Sequence, residues 1–123
     1  MRMTAEKGCN GIVKRLLGEN YCRWFEFCET PGEEDFYRIS WEDGKVRIQG
    51  RNGVSMAAGL NYYLRHFCHV YLGQQTMQNR MPEKPVRPEE PITRKAFSPI
   101  RYAYNYCTLS YTMPFWDRNR WQR

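Results

Sequence analysis

Asn105 and Cys107 are polar side chains in an aromatic-dense stretch near the C-terminus, and their spacing suits one face of a β-strand. The two faces of this predicted strand consist of Tyr102, Tyr104 and Tyr106 on one side and Ala103, Asn105 and Cys107 on the other. Large rings on one side and small or polar groups on the other are typical of a barrel wall. Cys107 has no histidine nearby in sequence, so nothing here predicts a nucleophilic thiol.

A second group of residues with possible chemistry is the H-x-C-H cluster formed by His66, Cys68 and His69. These side chains are of the types that bind zinc, but zinc sites draw their ligands from more than one short cluster. Packing or exposure to solvent is therefore the favoured interpretation, and the sequence predicts no metal. The chain has five cysteines, and this odd number leaves at least one thiol unpaired.

Carboxylates that could act as a catalytic pair are scarce in the C-terminal stretch. After residue 100 the one acid is Asp117, which stands where a loop meets a predicted helix and is interpreted first as a helix cap. The sequence contains no phosphate-binding loop, no H-E-x-x-H motif and no nucleophile elbow. It therefore predicts no complete catalytic centre and no cofactor.

The elements in front of this stretch follow from hydrophobic periodicity and predict an α+β unit with a small antiparallel sheet. Asp43 and Gly44 supply the turn of a hairpin, and Asn52 caps a following helix whose apolar stripe is Ala57, Leu60, Leu64 and Phe67, with Val54 leading in. Ala58 and Gly59 are small enough to let this helix lie close on the sheet. The predicted elements are a helix over 10–17, a strand over 22–29, the hairpin over 36–49, the capped helix over 50–67 and a possible short strand over 69–73.

A proline-rich region follows this unit. Five of the seven prolines lie between residues 81 and 99, which predicts an extended, semi-rigid connector. The domain prediction is accordingly an accessory domain over residues 1–76, a connector over 77–99 and a separate unit over 100–123.

Composition restricts the possible partners. Of the 123 residues, 41% are hydrophobic and 15% aromatic, as expected for a folded chain. The net charge of +6 is dispersed, apart from three arginines at positions 118–123, so a solvated surface is favoured over a nucleic-acid site. No apolar run approaches the roughly 20 residues of a membrane helix, and the first ten residues lack the apolar core of a signal peptide.

The C-terminal stretch resembles the start of the catalytic barrel in glycoside hydrolase family 89, the alpha-N-acetylglucosaminidases. The motif is R-Y-x-x-N-x-C-T-x-S-Y, then four residues, then W-D and a further W four residues on, within RYAYNYCTLSYTMPFWDRNRW. The resemblance implies that residues 100–123 are the first strand and loop of a truncated (β/α)8 barrel. It also implies that Asn105 and Cys107 are substrate-binding residues in the pocket for terminal N-acetylglucosamine, with barrel-interior packing as the alternative. Tyr111 and Trp116 match the motif too, in roles that could be structural.

The function implied by this resemblance is that of a longer enzyme, which hydrolyses terminal alpha-linked N-acetylglucosamine from glycans with retention of configuration. The chain itself is expected to be accessory and inactive, without the two catalytic glutamates. The family is secreted, periplasmic or lysosomal, so the missing signal predicts a trimmed chain or a misassigned start, with a cytoplasmic protein as the competing explanation. The alternatives are a stand-alone basic and aromatic module that binds acidic glycan or nucleic acid, and a remnant of a longer gene.

Overall fold

The computed structural model describes residues 4–73, 77–78, 80–104 and 113–122, and it has an α+β architecture built on one four-stranded sheet. The helices are α1 (Ala5–Leu16), α2 (Gly53–His66) and α3 (Arg118–Trp121), with 3-10 helices at Glu19–Trp24 and Met113–Phe115. The strands are β1 (Phe25–Glu29), β2 (Phe36–Glu42), β3 (Lys45–Gly50), β4 (Tyr71–Leu72), β5 (Met77–Gln78) and β6 (Ile92–Lys95). None of the helices in these described ranges is long and apolar enough to cross a membrane.

The main sheet has the strand order β1, β3, β2, β6. The β2–β3 pair is the predicted hairpin, and Asp43 and Gly44 at its turn both have positive φ, at 51° and 77°. This is the backbone conformation that makes Asp-Gly favourable in a two-residue turn. The structure confirms the α+β class, and the sheet is mixed rather than wholly antiparallel because β1 lies parallel to β3.

Helix α2 covers one face of the sheet. Its N-cap is Asn52, whose side chain accepts a 2.9 Å hydrogen bond from the backbone N–H of Ser55, as predicted. A Cβ added at Gly59 would stand 2.9 Å from Cγ2 of Ile48 and 3.1 Å from Cβ of Tyr37, so this glycine does allow close packing. Ala58, by contrast, is exposed and takes no part in that contact.

The buried face of α2 differs in part from the predicted stripe. Leu60 and Leu64 are buried as expected, but Val54 is 75% exposed. The remaining core positions on this helix are taken by Met56 and Tyr63, which are fully buried. The helix therefore packs on a face centred on Gly59 and Tyr63, because the glycine sets where it approaches the sheet most closely.

The first helix and first strand have bounds other than those predicted. Helix α1 begins at Ala5, because Thr4 serves as its N-cap and accepts from the N–H of Lys7 at 3.3 Å. The predicted strand over 22–29 is a strand from Phe25 onward, and its first part belongs to the 3-10 helix that buries Trp24. Alternation alone missed this boundary because a 3-10 turn also places aromatic residues in the core.

The proline-rich region is attached to the domain at two places. Its residues 92–95 form β6, which pairs antiparallel with β2 in the register Phe36 to Lys95 through Ile39 to Ile92. Upstream, the hydroxyl of buried Tyr63 donates to the carbonyl of Val86 at 2.9 Å and accepts from its N–H at 2.8 Å. The region thus contributes a strand that no local pattern had indicated, and its role as a connector stays a prediction.

Candidate functional site

Asn105 and Cys107, the two predicted substrate-binding residues, lie outside the described residues, as do Tyr106 and Tyr111. The described residues 101–104, immediately before them, form no strand. The rings of Tyr102 and Tyr104 stack with centroids 6.3 Å apart and planes inclined by 16°. The structure thus describes how the chain approaches the predicted site, and the site prediction itself stays a prediction.

A polar cluster around Asp35, in the loop before β2, contacts the segment that leads to Asn105. Its carboxylate accepts from the guanidinium groups of Arg51 and Arg101 and from the side-chain amide of Asn52. The hydrogen bond from Arg101 is the main reason why the pKa of Asp35 lies below its usual value, although partial burial opposes the shift. The carboxylate is therefore held ionised and fully occupied, which suits an anchor and not a general acid.

Next to this cluster lies an open cavity of about 330 Å³ between α2 and β6. Its rim carries Arg94, Lys95 and Arg101 together with Asp35, and Tyr37 and Val54 contribute apolar walls. Lys95 pairs with Glu34 at 3.7 Å and Arg94 lies over the ring of Tyr62 at 5.7 Å, so these cations already have partners within the chain.

Other described carboxylates also have structural partners. Glu6 accepts from the N–H of Glu29 at 3.2 Å, and backbone hydrogen bonds lower its pKa. Glu42 pairs with Arg47 at 2.6 Å. Asp117 caps α3 by accepting from the N–H of Arg120 at 2.9 Å, which confirms its interpretation as a cap. These carboxylates hold elements together, and none of those with a shifted pKa has the raised value that a catalytic acid needs.

The cysteines among the described residues are free thiols. Burial raises the pKa of Cys9 to about 11 and also raises that of Cys68, so neither is a thiolate at neutral pH. Cys22 and Cys28 are partly exposed.

The H-x-C-H cluster does not converge on one point. His66 packs against the ring of Tyr62 with centroids 4.2 Å apart, whereas Cys68 is buried and His69 is exposed. His69 also has a positive φ of 55°, which turns the chain out of α2 toward β4. Within the ranges that the structure describes, no three histidine, cysteine or acidic residues lie close enough to hold a metal ion.

Exposed apolar side chains concentrate after the main sheet. Residues 4–73 expose only two large hydrophobic side chains, Val54 and Tyr71, among those described. The later segment exposes six, which are Phe97, Ile100, Tyr102, Tyr104, Phe115 and Trp121. Apolar groups exposed in such number are typical of a surface that another part of a protein covers.

Two contacts between distant residues could not be predicted from the sequence, namely Asp35 with Arg101 and Tyr63 with Val86. Asp35 and Arg101 are 66 residues apart, and Tyr63 and Val86 are 23 apart. Neither pair belongs to a motif or to one period of a helix or strand. Asp35 lies in a short run of acids before β2, and such a run carries no signal for a partner 66 residues away.

Comparison with known proteins identifies relatives that match most of the chain. Residues 7–86 match the family described as "Alpha-N-acetylglucosaminidase (NAGLU) N-terminal domain". Human alpha-N-acetylglucosaminidase is 34% identical over 119 residues, which cover 91% of this chain and 16% of the human protein.

Solved structures of family 89 glycoside hydrolases also match this chain. A family 89 glycoside hydrolase from Clostridium perfringens, in complex with PUGNAc, is 35% identical and superposes with a TM-score of 0.89 over 96% of this chain. A variant of that enzyme with two glutamates replaced by glutamine, in complex with its substrate GlcNAc-alpha-1,4-galactose, superposes with a TM-score of 0.86. In both comparisons this chain spans 14% of the length of the Clostridium chain.

Proposed function

Because the chain belongs to the alpha-N-acetylglucosaminidases of glycoside hydrolase family 89, as an N-terminal domain, we propose that it serves as the accessory part of a retaining glycosidase. The whole enzyme would hydrolyse terminal alpha-linked N-acetylglucosamine from glycans. The observation that carries this proposal is the TM-score of 0.89 at 35% identity over 96% of the chain.

An accessory role is supported by how the chain uses its carboxylates. Retaining hydrolysis requires two carboxyl groups roughly 5–5.5 Å apart, one as nucleophile and one as acid and base. The carboxylates of Glu6, Asp35 and Asp117 are engaged by backbone or side-chain donors of the chain. The Clostridium relative was captured with its substrate after two glutamates had become glutamines, which fits a mechanism based on two glutamates. We expect the equivalent pair to lie outside these 123 residues.

Asn105 and Cys107 are the part of the proposal that touches substrate. Alternation in the predicted strand would put both on the face with small groups, and the end of a barrel strand is where active sites of such barrels assemble. An asparagine amide can both donate to and accept from sugar hydroxyls, and a cysteine is small enough for the ring to lie close. We therefore assign both residues to the pocket for terminal N-acetylglucosamine.

The exposed aromatic residues support a barrel that continues beyond this chain. Tyr102 is 81% exposed and Tyr104 is 73% exposed. In a closed barrel the rings on this face would pack under the surrounding helices. The likeness to the Clostridium enzyme covers 96% of the chain and so extends beyond the first domain, as this proposal requires.

A chimera tests the proposal. Residues 1–123 would replace the equivalent segment of the Clostridium enzyme, and hydrolysis of an aryl alpha-N-acetylglucosaminide would be measured beside the 123-residue chain alone. We expect the folded chimera to turn over the substrate with retention, seen by NMR of the first-formed anomer, and the isolated chain to be inactive. Turnover by the isolated chain, or a folded chimera without activity, would contradict the accessory role.

The same preparations distinguish the proposed function from the alternative, a stand-alone binding module. An acidic-glycan or nucleic-acid module would bind heparin or oligonucleotide tightly and with sequence or glycan preference, at raised salt as well as low salt. We expect only weak binding that disappears with salt, because cations such as Arg47, Arg51 and Lys95 are paired with acids. Export of the whole enzyme to the cell exterior, the periplasm or the lysosome is also part of the proposal, and fractionation of the native source would test it.

A further inference from the structure

After β6 the chain passes beside the loop that precedes β2, and from there it continues toward Asn105. The ladder between β6 and β2 ends with Lys95 opposite Phe36, and the N–H of Ala96 then donates to the carbonyl of Asp35 at 2.9 Å. The next residues form a tight local turn, in which the hydroxyl of Ser98 bonds both the N–H and the carbonyl of Ile100. The chain therefore arrives beside Asp35 just before it leaves the domain.

Arg101 joins this turn to the domain by two hydrogen bonds. One nitrogen of its guanidinium donates to the carbonyl of Ser98 at 2.6 Å, and the other donates to Oδ2 of Asp35. The second carboxylate oxygen, Oδ1, accepts from Arg51 and from Asn52, each at 3.3 Å. Asn52 is at the same time the N-cap of α2, so the carboxylate connects the departing segment to the start of a core helix.

Apolar packing does not provide this attachment. Phe97 is 99% exposed, Ile100 is 80% exposed and Tyr102 is 81% exposed, so the apolar side chains on either side of Arg101 lie in solvent. The side chain of Asp35, in contrast, is only 20% exposed. A charge-assisted hydrogen bond to a partly buried carboxylate is stronger than one at the open surface.

We propose that Asp35 is a positioning residue, which anchors Arg101 against the start of α2 and so sets where the chain leaves the first domain on its way to Asn105. The anchoring itself stands on the described contacts. Its consequence for the sugar pocket rests on the proposed function of Asn105. Hydrogen bonding from Arg101 lowers the pKa of Asp35, so the anchor is fully charged at neutral pH.

The backbone mobility of residues 98–102 measures the anchor directly. The ¹⁵N-labelled chain would be examined by heteronuclear NOE for the wild type, Arg101→Gln and Arg101→Lys, with the amides of β6 as internal reference. We expect the NOE values at 98–102 to fall in Arg101→Gln while those of β6 stay unchanged, and Arg101→Lys to recover part of the loss because it keeps the charge. Unchanged values in Arg101→Gln would overturn the proposal.

Cleavage by chymotrypsin after Tyr102 provides a second measurement in which the sequence around the cut bond is unaltered. Asp35→Asn should accelerate this cleavage roughly three- to tenfold, since it removes the charge that holds Arg101. Glu34→Gln is the matched control, because it removes a neighbouring acid whose partner, Lys95, is mostly exposed. Equal acceleration of cleavage in Asp35→Asn and Glu34→Gln would show that the loss of any acid in this loop has the same effect, and it would overturn the proposal.

These measurements involve no substrate, so they succeed or fail independently of the chimera. An active chimera with no change in mobility would leave the proposed function standing and remove the anchor. Increased mobility of residues 98–102 in Arg101→Gln, together with an inactive chimera, would support the anchor and contradict the proposed function.

Discussion

Replacing Tyr63 with phenylalanine tests how the proline-rich region is held to the first domain. The ring of Tyr63 is fully buried, packed edge-on against Phe25 at 5.6 Å and stacked on Phe67 at 5.5 Å. Phenylalanine keeps these contacts and removes only the hydroxyl. That hydroxyl is both donor and acceptor for the backbone of Val86, so the variant leaves one N–H and one carbonyl without their partner.

The expected cost follows from these two hydrogen bonds. Each contributes about 0.5–1.5 kcal/mol to stability, and Val86 is only partly accessible to the water that would replace the hydroxyl. Tyr63→Phe should therefore lower the free energy of unfolding by about 1–3 kcal/mol. Burial raises the pKa of Tyr63 above its usual value, so the hydroxyl keeps its proton and the loss should not vary with pH between about 6 and 9.

Urea unfolding followed by circular dichroism measures this loss. Tyr62→Phe is the matched control on the same helix, because the ring of Tyr62 is only partly buried and packs against His66. We expect the control to stay within about 0.5 kcal/mol of the wild type. A Tyr63→Phe variant as stable as the control would refute the argument that this hydroxyl anchors Val86.

Three further predictions concern the core, the anchor and the thiols. Gly59→Ala should destabilise the fold by about 1–3 kcal/mol in urea, since the added Cβ would meet Ile48 at 2.9 Å, and a neutral effect would show that α2 can shift. The pKa of Asp35 is lowered on folding, so its stabilisation should be complete above pH about 4 and disappear as the pH falls through the folded pKa. Urea unfolding of the wild type and Asp35→Asn should accordingly differ at pH 6, and this difference should shrink as the pH is lowered below about 4; a constant difference would contradict the assignment. In the native chain a thiol reagent should modify Cys28 well before Cys9, which is buried with its pKa raised to about 11, and equal rates by mass spectrometry would contradict this order.

The sequence predicted those elements whose signal is local. The hairpin followed from alternation around Asp43 and Gly44, whose positive φ values the turn requires. The start of α2 followed from Asn52, whose side chain can satisfy a free backbone N–H. In both cases the residues that predict the element are also the residues that form the turn or the cap.

Contacts between distant segments could not be predicted in this way. Strand β6 is short, flanked by proline-rich sequence and mostly exposed, so it has neither the length nor the burial pattern that marks a strand. Its place in the sheet depends on the edge of β2, which is more than 50 residues earlier. The anchor of Arg101 on Asp35 depends on that pairing in turn, because β6 brings the two residues together.

The residues of the predicted sugar pocket were found by a motif, and not by periodicity. Alternation placed Asn105 and Cys107 on one strand face, but only the spacing shared with family 89 suggested a sugar as ligand. Membership of that family is shown by the match of residues 7–86 to its N-terminal domain. The pocket role of the two residues goes further than this membership and needs its own test.

The most direct test of this account is kcat/KM of Asn105→Ala in the chimera with the Clostridium enzyme, measured together with the melting temperature. We predict that kcat/KM falls by a factor that corresponds to a loss of about 1–3 kcal/mol of transition-state binding, while the melting temperature changes little. Asn61→Ala, at an exposed position of α2, serves as the control and should change neither quantity. A normal kcat/KM for Asn105→Ala, with an earlier melting transition, would contradict the pocket assignment and make Asn105 a packing residue.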